Sequence, residues 1–496
     1  MFNTKHIKKI STVLLIVLTC AFLASCTEEP DANNLFTGDS VRRIDLHWND
    51  ERDKDWEEDI RTFAMHILAS HPIFNGVDSF RDIFGENTDY AYHIYNTILH
   101  RAAQRNGILA DTAAAEIQQN LRDIFIYRTN ALIIDIPNRT DWEVKIGLLE
   151  IAVILGDFHT HFNQGIFHWA EMQVFPVNLA YLDGGVYLVG VPREAEHALY
   201  SELIAINGIP TDEIIARIAR IAPHENEYFL RFVAFDSSWG LGRKEMLVYL
   251  DIVDDSGMAN FEVKNIDDEV IEFQLQAMTA DGFAAMTEAE LVHHESALLM
   301  DRYLEQSFWH KYFPQYSVLY VRNSSLLDVD LTGSRVVNAG IVALTEELIE
   351  LANDGIIEKL ILDIRGNAAG CNRHMFPLNL WPAIYDFPLL AETVENIYVI
   401  IDGGTASLAV ATAANLRYNK GNVVILGTPA GCSENFLTTT IHRYLPNSRL
   451  RFITSTGLHV VSVCDDVALR PDVFIPLTIH DVINQRDPVL EYILSR

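Results

Sequence analysis

Four strongly apolar segments between residues 316 and 431 constrain the fold of the chain more than any other feature. Each is a short run rich in Val, Ile and Leu, and helix-like segments lie between the first two and between the last two. Runs of this kind are typical of strands buried on both faces of a parallel sheet. The sequence therefore predicts an α/β domain over residues 286–496. The four runs are YSVLYVRN, EKLILDIRGN, ENIYVIIDGG and NVVILGTPAG.

The region nearer the N-terminus reads as helical. Residues 53–155 space their apolar side chains at helical intervals, and Pro72 and Gly107 end two of the predicted helices. We therefore expect a helical cap domain over residues 46–160.

The pattern of apolar residues changes in residues 161–285, where apolar and polar residues alternate as in half-buried strands. The turn at 183–185, Asp-Gly-Gly, predicts a hairpin, and Asn207 with Gly208 predicts a second turn. Two further segments, EMLVYLDIVDDSGMANFEVKN and DEVIEFQLQAM, are also expected to be strands. This region is predicted to be a small mixed β domain.

Length and charge exclude some classes of function. A chain of 496 residues with 49% hydrophobic and 21% charged residues is globular and too long for a single core. Its formal net charge of −31 argues against binding nucleic acid, whose phosphates require a basic surface. The same charge argues against polybasic attachment to anionic lipid.

The N-terminus has the pattern of an export signal. Lysines precede the apolar run VLLIVLTCAFLA, which is too short to span a bilayer comfortably and ends in LASC. LASC resembles a bacterial lipoprotein signal, which implies a signal peptide over residues 1–25 and lipid on Cys26. The alternative is an ordinary signal peptide cut nearby. With a polar tether over residues 26–45, we expect an extracytoplasmic lipoprotein anchored to a membrane of the cell envelope.

Ser407 is a candidate nucleophile. It follows Gly403 and Gly404 at the end of a predicted strand and falls in the first turn of an Ala-rich helix. Free N–H groups at a helix N-terminus favour a developing oxyanion. The alternative is that Thr405 or Ser407 only caps the helix.

Two histidines stand two residues apart in the segment GDFHTHF. His159 could be a catalytic base, since imidazole titrates near neutral pH. His159 and His161 could instead bind a metal, with Asp157 and His168 as further ligands. A third possibility is that both only satisfy local hydrogen bonds.

Six short motifs follow one another along the chain in the order GDFHT, INGIP, LDIRGN, TASLA, GTPAG and RPDVFIP. In this order they resemble the C-terminal-processing and tricorn-core serine peptidase superfamily, from about residue 140 to the C-terminus. The resemblance implies a ClpP/crotonase-like peptidase core, with the N-terminal helical cap and a PDZ-like β domain. It also implies serine-type hydrolysis of a peptide or protein substrate without a cofactor.

The resemblance assigns roles to individual residues. Ser407 matches the nucleophile of the family and His159 its general base. Asp465 or Asp466 stands where some members have the carboxylate that orients the histidine, just before a Pro-Asp pair. Such a carboxylate fixes the tautomer in which the histidine can accept the serine proton.

The oxyanion hole is where the chain departs from the family. The resemblance places one donor at the N–H of Leu408 and the other at Ala369 or Gly370. Alanine stands at position 369 where the related branch has glycine, and alanine tolerates positive φ poorly. Many members of the family use a Ser–Lys dyad, but no lysine occurs in residues 427–435, where the resemblance would place it. The resemblance therefore implies that the chain belongs with the Ser–His branch of the family or is inactive. A catalytically weak or inactive protein that binds a peptide or apolar ligand is the first alternative, and a metallohydrolase using His159 and His161 is the second.

The three cysteines that follow Cys26 in the mature chain fall on segments that the resemblance brings to one region. Cys371 follows the predicted oxyanion loop, Cys432 lies in the loop after GTPA, and Cys464 precedes the predicted acid. A disulfide between two of them and three buried free thiols both remain possible.

Overall fold

The computed structural model describes residues 50–76, 88–162, 172–234, 242–293, 298–301, 308–324, 350, 354, 356–368, 394–419, 421–462 and 466–496. The described helices are α1 (Glu51–Ser70), α2 (Pro72–Asn75), α3 (Thr88–Arg105), α4 (Ala114–Asp135), α5 (Asp141–Ala152), α6 (Thr211–Ile218), α7 (Glu227–Ala234), α8 (Lys244–Tyr249), α9 (Ala280–Ala284), α10 (Leu408–Asn419), α11 (Ile479–Ile483) and α12 (Pro488–Leu494). The described strands are β1 (His161–Phe162), β2 (Gln173–Val174), β3 (Asn178–Leu182), β4 (Gly185–Pro192), β5 (Glu202–Ile206), β6 (Ile209–Pro210), β7 (Met258–Lys264), β8 (Val270–Gln276), β9 (Met278–Thr279), β10 (Leu291–His293), β11 (Phe308–Phe313), β12 (Val318–Asn323), β13 (Lys359–Asp363), β14 (Asn396–Ile401), β15 (Val423–Gly427), β16 (Phe436–Tyr444), β17 (Arg451–His459) and β18 (Val473–Phe474).

Helices α1 to α5 form the N-terminal part, as the helical spacing predicts. Asp50 caps α1, and Thr140 with Glu143 forms a capping box at the start of α5. Pro72 ends the first predicted helix and occupies the first position of α2, where its missing N–H costs nothing. In the described residues no helix is long and apolar enough to span a membrane.

A six-stranded sheet forms the C-terminal part, in the order β11-β12-β13-β14-β15-β18. The pairs from β12 to β18 are parallel, and only the β11–β12 pair is antiparallel. Every residue of β12 is buried, as expected for a strand covered on both faces. Because parallel strands share one carboxyl edge, the loops after β13, β14 and β15 meet there, and this edge carries the serine.

A seven-stranded antiparallel sheet forms the middle part, in the order β10-β4-β5-β7-β8 with β3 on β4 and β6 on β5. Both predicted hairpin turns are present, and Asn207 and Gly208 both have positive φ. The strand expected at the start of EMLVYLD is wrong, since this stretch is helix α8. Met246, Leu247 and Leu250 are buried together, which is the spacing of a helical face.

The hairpin β16–β17 ties the N-terminal helices to the C-terminal part. β1 pairs with β17, and the carboxylate of Asp59 on α1 accepts the N–H groups of Asn447 and Ser448 at 2.8 Å each. One continuous cluster of buried apolar side chains runs through the helices, the seven-stranded sheet and the parallel sheet. The segment after α5 is therefore held against the carboxyl edge of the parallel sheet.

Candidate active site

The loop after β14 turns sharply before it reaches Ser407. The carboxylate of Asp402 accepts the N–H of Gly366 at 2.7 Å and that of Gly404 at 3.0 Å, which joins this loop to the loop after β13. A Cβ atom at Gly404 would lie 2.6 Å from the ring of Phe232 and 2.8 Å from the Cα of Gly366. Only glycine fits here, so the Gly-Gly pair is a packing requirement of the serine loop.

Ser407 lies at the junction between this loop and α10. Its φ is +56°, a left-handed conformation that costs a non-glycine residue about 1–2 kcal/mol. Its N–H donates to the Sγ of Cys432 at 3.2 Å, and its carbonyl accepts the N–H of Ala411 in the first turn of α10. A strained serine on a strand-to-helix turn is the geometry that enzymes use to present a nucleophilic hydroxyl.

His159 contacts the hydroxyl of Ser407. The distance between Nε2 of His159 and Oγ of Ser407 is 2.8 Å, and both residues are buried. The imidazole is flanked by the rings of Phe158 at 4.0 Å and Phe436 at 5.5 Å between centroids. The ring is therefore held by packing in the position from which it can accept the serine proton.

Asp157 shapes the loop that carries His159. Its Oδ1 accepts the backbone N–H of His159 at 2.9 Å, and its Oδ2 accepts the hydroxyl of Thr160 at 2.7 Å. His71 lies 3.2 Å from the same Oδ2 through Nε2, and its Nδ1 accepts the N–H of Ile73, so Nε2 carries the proton. Burial would raise the pKa of Asp157, but its hydrogen bonds with His159 and His71 hold that pKa well below the ordinary value.

The other nitrogen of His159 faces two carboxylates. Nδ1 lies 3.6 Å from Oδ1 of Asp157 and 3.9 Å from Oε1 of Glu225. Among the described residues, neither Nδ1 of His159 nor Oε1 of Glu225 has a hydrogen-bond partner. Sequence reasoning missed Glu225, because nothing in the polar stretch between α6 and α7 points to a histidine so distant in the chain.

One of the two carboxylates expected from the resemblance, Asp466, pairs with an arginine. Oδ2 of Asp466 lies 2.6 Å from Nε of Arg470, and its Oδ1 accepts the N–H of Val467 at 2.7 Å. Asp466 is not among the described carboxylates within 4 Å of His159, and Asp465 lies outside the described residues. The structure brings Ser407 and His159 together but pairs Asp466 with an arginine.

The comparisons with known proteins are structural. No family model and no curated protein matches the sequence. CPAF complexed with lactacystin matches with a TM-score of 0.55 and 12% identity over 89% of this chain and 97% of CPAF. Mature CPAF scores 0.53 with 11% identity over 89% and 96%. The chain has the CPAF fold.

This fold confirms the resemblance to the C-terminal-processing peptidases as far as architecture goes. The photosystem II D1 C-terminal processing protease scores 0.33, with 12% identity over 85% of this chain and 93% of that one. A score below 0.5 carries no argument about this chain. The helices and both large sheets agree with the predicted mixed architecture, while the ClpP-like core and the PDZ-like β domain remain predictions.

The predicted oxyanion donors are only partly within the described residues. Leu408 is the first residue of α10, so its N–H has no acceptor within the helix. Ala369 and Gly370 lie outside the described residues. The N–H of Leu408 therefore lies next to Ser407 with no acceptor inside the helix, and the role of both donors stays a prediction.

The geometry gives little support to the alternative in which His159 and His161 bind a metal. His161 contacts the backbone: its Nδ1 lies 2.8 Å from the carbonyl oxygen of Phe158, and burial lowers the pKa of its ring to about 4. Asp157, His159 and Glu225 do place one ligand atom each within 4.8 Å of one another. The oxygens of Asp157 are already occupied by N–H and O–H donors, so the group fits a hydrogen-bonded network better than a cation.

Cys432 is a free, buried thiol beside the nucleophile. Burial raises its pKa well above the usual value, with a smaller contribution from Glu225, so it stays protonated at neutral pH. Cys371 and Cys464 lie outside the described residues, and a bridge between those two stays a prediction. The structure gives Cys432 a role as hydrogen-bond acceptor for the serine loop.

Replacing Asp157 by alanine should destabilise the protein by about 3–5 kcal/mol at pH 7, since His71, Thr160 and the His159 N–H would lose a buried acceptor. Urea unfolding measures this, with exposed Asp212→Ala as the control expected within about 0.5 kcal/mol of wild type.

Because the pKa of Asp157 is depressed on folding, the stability that Asp157 contributes is complete above the ordinary carboxyl range and is lost as pH falls below about 4. A difference from wild type that stays constant down to pH 2 would contradict this account.

Proposed function

We propose that this protein is a serine peptidase in which Ser407 is the nucleophile and His159 the general base. The observation that carries the proposal is the 2.8 Å contact between Nε2 of His159 and Oγ of Ser407. Two further features support it. Ser407 has a left-handed φ at the start of a helix, and the N–H of the next residue, Leu408, has no acceptor inside that helix.

The chemistry follows from these positions. Nε2 of His159 takes the proton of Ser407 as Oγ attacks the carbonyl carbon of a peptide bond, and the carbonyl oxygen becomes an oxyanion. The N–H of Leu408, with a second donor at Ala369 or Gly370, stabilises that oxyanion. The histidine then returns the proton to the leaving amine, which departs and leaves an acyl-serine. Water, deprotonated by the same histidine, hydrolyses the ester and restores the hydroxyl.

We propose a peptide or protein as the substrate. A fluorophosphonate probe tests the nucleophile directly, because it phosphonylates an activated serine and leaves other serines untouched. We expect one modified residue, Ser407, after digestion and mass spectrometry of the full chain. Protein that binds peptides but carries no label on Ser407 would contradict the peptidase and support the alternative of a binding protein on this fold.

We also propose that the mature protein is anchored to a membrane of the cell envelope through lipid on Cys26. The support is the sequence LASC after a short apolar run; residues 1–49 lie outside the described part of the structure. Mass spectrometry of the mature N-terminus should find a diacylated Cys26, and Cys26→Ala should release the protein from the membrane fraction. An unmodified chain that begins at another residue would contradict the anchor.

A further inference from the structure

Two buried polar atoms without a partner face each other beside the proposed nucleophile. They are Nδ1 of His159 and Oε1 of Glu225, 3.9 Å apart. A buried donor or acceptor left without a partner costs about 1–3 kcal/mol, so native proteins rarely keep two of them side by side. A movement of about 1 Å would bring them within hydrogen-bond distance.

Asp157 lies closer than Glu225 to Nδ1 of His159, but both of its carboxylate oxygens already accept hydrogen bonds. Its Oδ1 accepts the backbone N–H of His159 itself, and its Oδ2 serves Thr160 and His71. These bonds hold the loop that carries the imidazole. Oε1 of Glu225 has no such partner among the described residues and can accept from the imidazole ring. Asp157 therefore suits the task of holding the loop, and Glu225 that of orienting the ring.

The segment around Glu225 is anchored on both sides. Arg105, at the end of α3, donates to the carbonyl oxygens of His224 at 2.6 Å and Glu225 at 3.1 Å. The side-chain amide of Asn226 donates to the carbonyls of Ala430 at 3.0 Å and Val467 at 2.9 Å. This stretch between α6 and α7 thus bridges the helical part and the loops of the parallel sheet, and it delivers its carboxylate to a fixed place.

We infer that Glu225 is the positioning carboxylate of His159. Its Oε1 accepts the Nδ1–H of the imidazole, which leaves the lone pair of Nε2 for the hydroxyl of Ser407. This inference rests on the proposed function, since it assigns a task within the same hydrolysis. It replaces Asp465 and Asp466 in the role that the family resemblance gives them.

The groups around His159 and Glu225 allow an experiment to distinguish a functional role of Glu225 from a structural one. Burial, and then the charge of Asp157, raise the pKa of Glu225 well above the usual value, while Arg101 and Arg105 lower it. Cys432 also lies near Glu225, and His459 lies near His159. Because its pKa is higher in the folded than in the unfolded chain, stability falls as pH rises through that window. Glu225→Gln should therefore raise the unfolding midpoint at neutral pH while it lowers activity.

The decisive comparison is Glu225→Gln against Glu227→Gln in the full chain. Glu227 stands two residues away and is exposed, so its variant controls for the same chemical change. We expect Glu225→Gln to lower kcat by about 10²–10⁴-fold with little change in KM, because the amide can hold the imidazole in the wrong tautomer. The acid limb of the pH–rate profile should also change, because Glu225→Gln replaces a titratable carboxyl group 3.9 Å from Nδ1 of His159 by an amide that does not titrate.

Asp466→Asn and NMR of the histidine ring complete the test. The downfield Nδ1–H resonance of His159, assigned by its absence in His159→Gln, should disappear in Glu225→Gln and persist in Asp466→Asn. A resonance and pH profile unchanged in Glu225→Gln, or a loss that follows Asp466 instead, would overturn the assignment. If the wild-type protein hydrolyses nothing while the resonance still depends on Glu225, the pairing stands and the proposed peptidase function fails.

Discussion

Replacing Ser407 by alanine should abolish peptide hydrolysis, with a loss of about 10⁴–10⁶-fold in kcat, and should remove fluorophosphonate labelling. The variant deletes the oxygen that lies 2.8 Å from Nε2 of His159, which is the atom that would form the acyl intermediate. Cleavage of a mixed peptide pool, followed by mass spectrometry, measures the loss without the need for one defined substrate. Peptide affinity should be retained, because one hydroxyl is removed from a site that otherwise keeps its shape.

Ser201→Ala is the matched control for this variant. Ser201 is also a buried serine, and its hydroxyl has no hydrogen-bond partner among the described residues. Its loss should leave both hydrolysis and labelling unchanged. Hydrolysis that survives in Ser407→Ala would mean that another residue of the chain is the nucleophile.

Replacing His159 by glutamine should cost nearly as much as the loss of the serine, and the double variant with Ser407→Ala should be no worse than either alone. The two residues act as a unit, so their effects do not add. In the wild-type protein, kcat/KM should fall at low pH as the ring gains its second proton, since the imidazolium cannot accept the proton of Ser407. A pH–rate profile over the range from pH 4 to 9 measures this limb.

Two further histidine variants separate this account from the metal alternative. His197 is exposed and lies in the middle part of the chain, so His197→Gln should leave the rate unchanged. His161→Gln should lose much less activity than His159→Gln, because its ring nitrogen contacts a backbone carbonyl oxygen, not the serine. Equal losses at His159 and His161, together with inactivation by a chelator, would favour the metallohydrolase.

Local sequence was enough to predict most of the secondary structure. The helical spacing before residue 155 and the apolar runs of β12, β13, β14 and β15 reflect burial patterns that each segment imposes on itself. The stretch EMLVYLD was misread because short apolar runs fit a strand and a buried helix equally well, and only packing against neighbours decides between them.

The pairing of Ser407 with His159 was also within reach of the sequence. Each stands in a short motif whose order along the chain carries the resemblance, and the ends of the parallel strands must meet at one edge. The structure adds what no motif states, namely the 2.8 Å contact and the left-handed backbone of the serine.

The carboxylates at the site were decided by tertiary structure alone. Asp466 occupies the position that the family resemblance predicts, but Arg470, four residues further on, pairs with it. Glu225 reaches His159 only because Arg105 and Asn226 anchor its segment to distant parts of the chain. Helices and strands follow from contacts close in sequence, whereas a buried charge is placed by whichever distant groups surround it, so its partner appears only once the chain has folded.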